Sequence, residues 1–472
     1  MLAILFVTGT GFAMYSYRTL PDVVVMRTAT GFVPSKITIR KGQAIVFTSQ
    51  WGKDFWPAAD FHPTHGVYPT FDPKRPLKAD ESWRFVFDRA GVWTFHDHLQ
   101  ESMVGTIIVL GRPGESAEEC LSQTATSSPN SIAECWAIDI IETLQTKGLP
   151  AAFDMFALLY EHNPSFRGLS CHDAGHILGA AAYKQYENDH KAIDRPETSY
   201  CGYGFYHGFM ETMLREQGQF AEVRAYCEAL KTDGQLNNPS GACFHGVGHA
   251  AFDSLPGDIW GNDVQMVSAA GRVCEQALVG IPERAQCLDG VFNALAVAAS
   301  ARTYGLTFDT TDPMELCRMQ NNDYRIGCYK ELGIGFIRER SMDRRETMTF
   351  IRSFKDTEAE AEALLGYMGD EAARAVRTLD LSAFHSFCTT LPSATERLGC
   401  ERGVLSGLRQ AGEPGKEFEV MFDYCALHPV GTERTRCYSF AILQTKDISS
   451  DKAAFRKACL AIDDPAATSI CE

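Results

Sequence analysis

The chain has 472 residues, long enough for two or three separately cored domains, and its 45% hydrophobic and 22% charged residues are those of ordinary globular protein. A formal net charge of −16 argues against a nucleic-acid partner, since phosphate binding needs a basic surface. The same acidity suits a soluble extracytoplasmic protein and favours the approach of cations.

The first element is "MLAILFVTGTGFAMYSY", an uncharged run ended by Arg18. At about 1.5 Å per residue a helix here spans roughly 25 Å, marginal for a bilayer core. No basic segment precedes it and no clear small-residue cleavage site follows. Residues 1–20 therefore read as a signal-anchor helix, with a cleaved signal segment second and a buried core segment third. The first two readings export the rest of the chain, and the first adds a membrane contact through the N-terminal segment.

Residues 21–112 read as a strand domain. "VVVMRTA", "KITIR", "AIVFTS", "WRFVFD", "VWTFH" and "TIIVL" are short and rich in β-branched or aromatic residues, and several alternate apolar with polar. Turn signals such as "RKGQ" and "RAG" separate them, and the spacing predicts a small β-sandwich. "GFVPSKITIRKGQAIVFTSQ" and "GVWTFHDHLQESMVGTIIVL" resemble the strand pairs that flank the two metal-binding loops of the cupredoxins, the copper-binding β-sandwich family. His98, Met103 and Gly105 fit the latter part of that family's second loop. No cysteine occurs in residues 1–119, so a blue-copper site, which needs a thiolate, is excluded.

The His96-x-His98 pair looks more like the paired histidines of multicopper oxidase domains, and the first loop adds His62 and His65. In an extended strand, residues two apart share a face, so His96 and His98 can face one metal. The resemblance implies a copper site from His62, His65, His96, His98 and Met103, with zinc as a rival. Asp60 and Asp97 stand open between carboxylates that orient imidazoles and turn residues.

Residues 113–130 are polar and rich in Gly, Ser and Pro, and read as a linker. From residue 131 to 472 the period becomes helical. "CHDAGHILGA", "CGYGFYHGFM", "CFHGVGHAAF", "CLDGVFNALA" and "CERGVLSGLR" form a local repeat that starts with Cys and places small residues about four apart. Such strips let helix backbones approach closely, although these segments are too polar to be membrane spans. All sixteen cysteines lie beyond residue 119, no C-x-x-C occurs, and most form couples such as Cys388 with Cys400. Cys120 with Cys135 and Cys171 with Cys201 complete the set. Serial disulfides in an oxidising compartment follow, each tying one helical hairpin. The expected fold class is multidomain β plus α: a cupredoxin-like β-sandwich followed by a disulfide-tied α-helical hairpin repeat array, an irregular solenoid or α/α array.

Five histidines lie in the repeat starts. His172 with His176, His245 with His249, and His207 with Glu211 are couples four apart, which share a helix face and can chelate one ion. Hydrogen bonding across closely packed helices is the other reading of the same residues. Three functional readings follow. The first is an extracytoplasmic, histidine-bound copper protein for electron transfer or copper handling, with a redox or copper-delivery protein partner. The second is a metal-dependent enzyme, with zinc or iron in the helical site. The third is a metal-free structural or interaction protein. No H-E-x-x-H, nucleotide or serine-hydrolase motif stands in a convincing context.

Overall fold

The structure is a computed structural model that describes residues 21–59, 68, 70–88, 91–110, 129–167, 169–189, 191, 193, 195–217, 220–230, 239–302, 304–308, 312–375 and 380–471. The N-terminal part is built from β1 (Val23–Thr28), β2 (Gly31–Val33), β3 (Lys36–Arg40), β4 (Ala44–Ser49), β5 (Pro57–Ala59), β6 (Ser82–Val86), β7 (Gly91–Asp97) and β8 (Gln100–Leu110). These strands form two four-stranded sheets, ordered β2-β1-β4-β6 and β3-β8-β7-β5. β1 runs parallel to β4 and β3 parallel to β8, and the other pairings are antiparallel.

The period-two alternation buries Ile45 and Phe47 of β4 and Trp93 and Phe95 of β7 in a shared aromatic core. Phe95 lies opposite Gly105 of β8, where a Cβ would sit 2.4 Å from the Phe95 ring. Glycine is the residue that leaves room for that ring. The six expected strands are all present. β2 and β5, of three residues each, are too short to show a period in sequence.

Among the helices of the second part, seven form one continuous series: α1 (Leu169–Asp189), α2 (Tyr200–Gln217), α3 (Pro239–Asp253), α4 (Ile281–Ala301), α5 (Asn322–Glu339), α6 (Thr357–Ala375) and α7 (Ala394–Ala411). Each packs on the next, and α7 returns to pack on α1 and α2. The expected array is thus a closed ring. Its seam is held by Tyr160, whose hydroxyl donates to the Ala411 carbonyl, and by Gln410, which packs against Gly202. α7 starts at a capping box in which Ser393 Oγ accepts the Glu396 N–H and the Glu396 carboxylate accepts the Ser393 N–H.

Further helices pack outside, and disulfides tie several to the ring: Cys227–Cys243, Cys274–Cys287, Cys317–Cys328 and Cys388–Cys400. Cys425–Cys437 and Cys459–Cys471 tie the last helices, and Cys171–Cys201 joins α1 to α2. These bridges suit an oxidising, extracytoplasmic compartment. The expected Cys120–Cys135 couple lies outside the described side chains. Among the described residues no helix is long and apolar enough to cross a membrane. Residues 1–20, on which the signal-anchor expectation falls, lie outside the described residues.

Candidate metal centre

The small-residue strips set the spacing of the wall formed by α1, α2 and α3. A Cβ on Gly204 would lie 2.3 Å from the His172 carbonyl oxygen, and one on Gly208 would lie 2.0 Å from that of His176. Because the α1 and α2 backbones touch there, their histidines share one space. The imidazole nitrogens converge. His176 Nε2 is 3.2 Å from His172 Nε2 and 3.2 Å from His207 Nδ1, and His249 Nε2 is 3.2 Å from His245 Nε2. The His207 ring lies between the two couples, stacked on His245 and His249 and edge-on to His176, with its centroid 5.0 Å from each of theirs.

Oxygen atoms sit behind four of the five rings. His172 Nδ1 lies 2.8 Å from the Cys201 carbonyl oxygen, which only accepts, so Nδ1 carries the proton and Nε2 offers a lone pair. Glu211 Oε1 stands 3.7 Å from both His176 Nδ1 and His249 Nδ1, and Asp289 Oδ2 stands 3.7 Å from His245 Nδ1. Oxygen behind one ring nitrogen, with the other turned toward neighbouring imidazole nitrogens, is an arrangement that suits metal-bound histidine. One proton on His176 Nε2 serves one of its two nitrogen neighbours, whereas a cation among the three serves all. Two nitrogens on one tetrahedral zinc stand about 3.3 Å apart at usual bond lengths. Among the described residues neither Glu211 oxygen, both of them buried, has a hydrogen-bond donor, a cost that a cation or reoriented imidazole N–H groups would offset.

Burial, with help from neighbouring imidazoles, favours the neutral rings. It pushes His172 down to about 3, aided by His176. His207 and His249 are held well below the usual histidine range by burial first, then by His176 and His245 respectively. Burial opposes ionisation of Asp289, yet the Lys330 ammonium and His245 hold its carboxyl well below the usual range.

The start of α2 is locally left-handed, with φ of 51° at Cys201, 74° at Gly202 and 63° at Tyr203. Such backbone is costly for Cys and Tyr, of order 1–3 kcal/mol per residue. It turns the Cys201 carbonyl onto His172 and sets Tyr203 in the wall of the ring's central cavity. That cavity, of about 750 Å³, is also lined by His172, His207, His245, Asp289 and Lys330. Asn293 and Ser406, which stand near the corresponding places in later repeats, line it too.

In the sandwich His96 and His98 are both buried, with His96 Nε2 3.4 Å from His98 Nδ1. His62 and His65 lie outside the described residues, as does Asp60. Asp97 does not orient the imidazoles. It points the other way, where its carboxylate accepts from fully buried Arg27 Nε at 2.6 Å and from the Trp56 N–H at 2.9 Å. Nor does Met103 face the pair. The register sets His96 opposite Val104 and Phe95 opposite Gly105, so Met103, two from Gly105, lies on the Phe95 side and packs on the core. His98 meets the helical part, its ring 4.7 Å from Trp260 and 4.9 Å from Tyr304, while Trp56 of the sandwich lies 4.6 Å from the same ring.

Sequence reasoning missed Asp289, Lys330 and Glu331, since only histidine spacing flagged the wall. Lys330 Nζ bridges Asp289 at 2.8 Å and Glu331 at 2.7 Å, and Asn293 donates to Glu331. It also missed a cluster in the later helices, where His428 Nε2 lies 3.0 Å from Glu401 Oε2 and the His385 and His428 rings are 4.4 Å apart. Cys437 is close by, but it is bonded to Cys425 and offers no thiolate.

No protein-family model and no curated protein matches the chain. Among solved structures it is similar to a purple cupredoxin from Nitrosopumilus maritimus, at 16% identity over 19% of this chain and 100% of that one, with a TM-score of 0.17. A plastocyanin from Dryopteris crassirhizoma gives 20% identity over 19% and 100%, with a TM-score of 0.16. An amicyanin variant gives 14% identity over 19% and 82%, with a TM-score of 0.17. The two-sheet strand order described above is what defines the N-terminal fold.

Proposed function

We propose that the chain is an extracytoplasmic metalloprotein whose working centre is the cluster of His172, His176, His207, His245, His249 and Glu211. The observation that carries this reading is the oxygen atom behind four of the five imidazoles, which leaves their other nitrogens to converge. An imidazole-rich set with one carboxylate suits zinc, copper or iron. The adjoining cavity has the size of a small-molecule site and a polar wall, which supports metal-dependent chemistry on a small polar substrate.

A second reading, electron transfer or copper handling, draws on the sandwich. His96 and His98 would supply two imidazoles to copper. Rings then lead from His98 to Tyr304 and from Tyr304 to Phe252, which lies on α3 three residues beyond His249. A redox or copper-delivery partner and an N-terminal membrane anchor belong to this reading.

Metal content of the full chain tests both. Wild type reconstituted separately with zinc, copper and iron should retain tightly bound metal. The double variant His176→Ala/His249→Ala should lose the helical equivalents, and His96→Ala/His98→Ala only those of the sandwich. Copper-loaded protein should show no intense thiolate-to-copper absorption. Unchanged metal content in the first double variant would remove the helical centre from the reading.

A further inference from the structure

The charged groups around the central cavity are mostly neutralised in place. Lys330 is paired with Asp289 and Glu331, and Arg338 Nε donates to Asp370 at 3.0 Å. Arg409 of α7 is different. It lines the cavity and stacks its guanidinium 5.6 Å from the Tyr203 ring centroid, and among the described residues no carboxylate pairs with it; Nε and Nη1 are buried without an acceptor, which leaves Nη2 as the nitrogen open to the cavity. Glu417 is the buried carboxyl that feels its charge. Burial pushes that group up to about 8, so at neutral pH it is mainly protonated and leaves the arginine uncompensated. An arginine that reaches a cavity with no carboxylate paired to it is a place for a ligand anion, and a carboxylate or phosphate oxygen is the acceptor that a guanidinium N–H binds best.

We propose that Arg409 is the anion-binding group of the cavity, holding the carboxylate or phosphate of a small ligand so that the rest of the molecule faces the histidine cluster. The presentation to the cluster rests on the metal-centre reading, whereas the anion site itself rests on the cavity and Arg409. Tyr203, on which the guanidinium stacks, lies in the left-handed start of α2, four residues before His207. The same turn thereby fixes the platform for Arg409 and, through the Cys201 carbonyl, the orientation of His172.

Calorimetric titration of the full chain with inorganic phosphate and, separately, with succinate at matched ionic strength tests the assignment. Wild type should bind one of the two saturably, one anion per chain, and the anion that binds identifies the source. Arg409→Gln should weaken that binding by about tenfold or more. Arg409→Lys should weaken it less, because an ammonium keeps the charge and loses the fork. Saturable binding of neither anion by wild type, or unchanged affinity in Arg409→Gln, would overturn the proposal. If Arg409→Gln does not fold, Arg409→Lys decides: weakened binding supports the site and wild-type affinity refutes it. Metal content measured on the same samples keeps the two readings apart. A chain that binds the anion through Arg409 but holds no metal retains the anion site and loses the metal centre. One that holds metal but binds no anion does the reverse.

Discussion

Glu417 shows at the scale of one residue how the fold accommodates a buried carboxyl. Its Oε1 accepts the Gly415 N–H at 3.0 Å, while Oε2 has no donor among the described residues. Burial raises the folded pKa to about 8, above the usual carboxylate value, so the folded chain holds a proton that the unfolded chain has released. The contribution is therefore fully present below the unfolded value and is lost as pH rises through about 8. Each tenfold difference in proton affinity between the folded and unfolded chains is worth roughly 1.4 kcal/mol, so Glu417→Gln should stabilise the protein at pH 8 by a few kcal/mol more than at pH 5. Denaturant unfolding of both proteins at the two pH values measures it, and an equal difference at both would refute it. At this scale the histidine couples were legible, because a spacing of four fixes a shared helix face whatever the tertiary fold. Asp289 and Arg409 were not legible. Each faces the cavity only because distant helices close around it, and no local pattern carries that information. The left-handed residues at Cys201 and Tyr203 were hidden for a related reason, since neither residue type signals such backbone.

Between elements, the glycines decide how near the donors come. Gly208 faces the His176 carbonyl directly, so Gly208→Ala must move α1 away from α2 and carry His176 with it. A destabilisation of about 1–3 kcal/mol is expected from the overpacking, with weaker metal binding. Gly271→Ala is the control, because its Cβ would meet only the end of the Leu288 side chain at 3.4 Å. That variant should be neutral or more stable by up to about 1 kcal/mol, with metal binding unchanged. Thermal unfolding and metal titration of the pair test the contrast, and equal loss of metal affinity in both would refute it. The strips and cysteine couples were readable in sequence because each is local, as were the six longer strands. Met103 was misplaced because proximity to His98 in sequence does not set the face. The register of β7 against β8 does, and it puts Met103 on the core side.

Across the whole molecule, the sandwich meets the helices through His98. With Trp56 and Trp260 within 4.6 and 4.7 Å of that imidazole, Cu(II) bound there should quench tryptophan fluorescence. The quench should shrink in Trp260→Phe and vanish in His98→Ala, whereas undiminished quenching in His98→Ala would place the copper elsewhere. Ring closure was not visible in the repeat pattern, since it depends on small rotations summed over seven helices. The described bridges, by contrast, never cross it. All seven described disulfides join cysteines that are neighbours in the sequence: 171 with 201, 227 with 243, 274 with 287, 317 with 328, 388 with 400, 425 with 437, and 459 with 471. A chain emerging from its N-terminus into an oxidising space can therefore seal each hairpin as its second cysteine appears, before α7 exists to meet α1. None of these couplings waits on long-range order, and none has to be undone for the circle to close. Oxidation can run as a strictly sequential process along the chain, leaving assembly of the donor wall and its cavity as a separate, later docking of pieces already sealed.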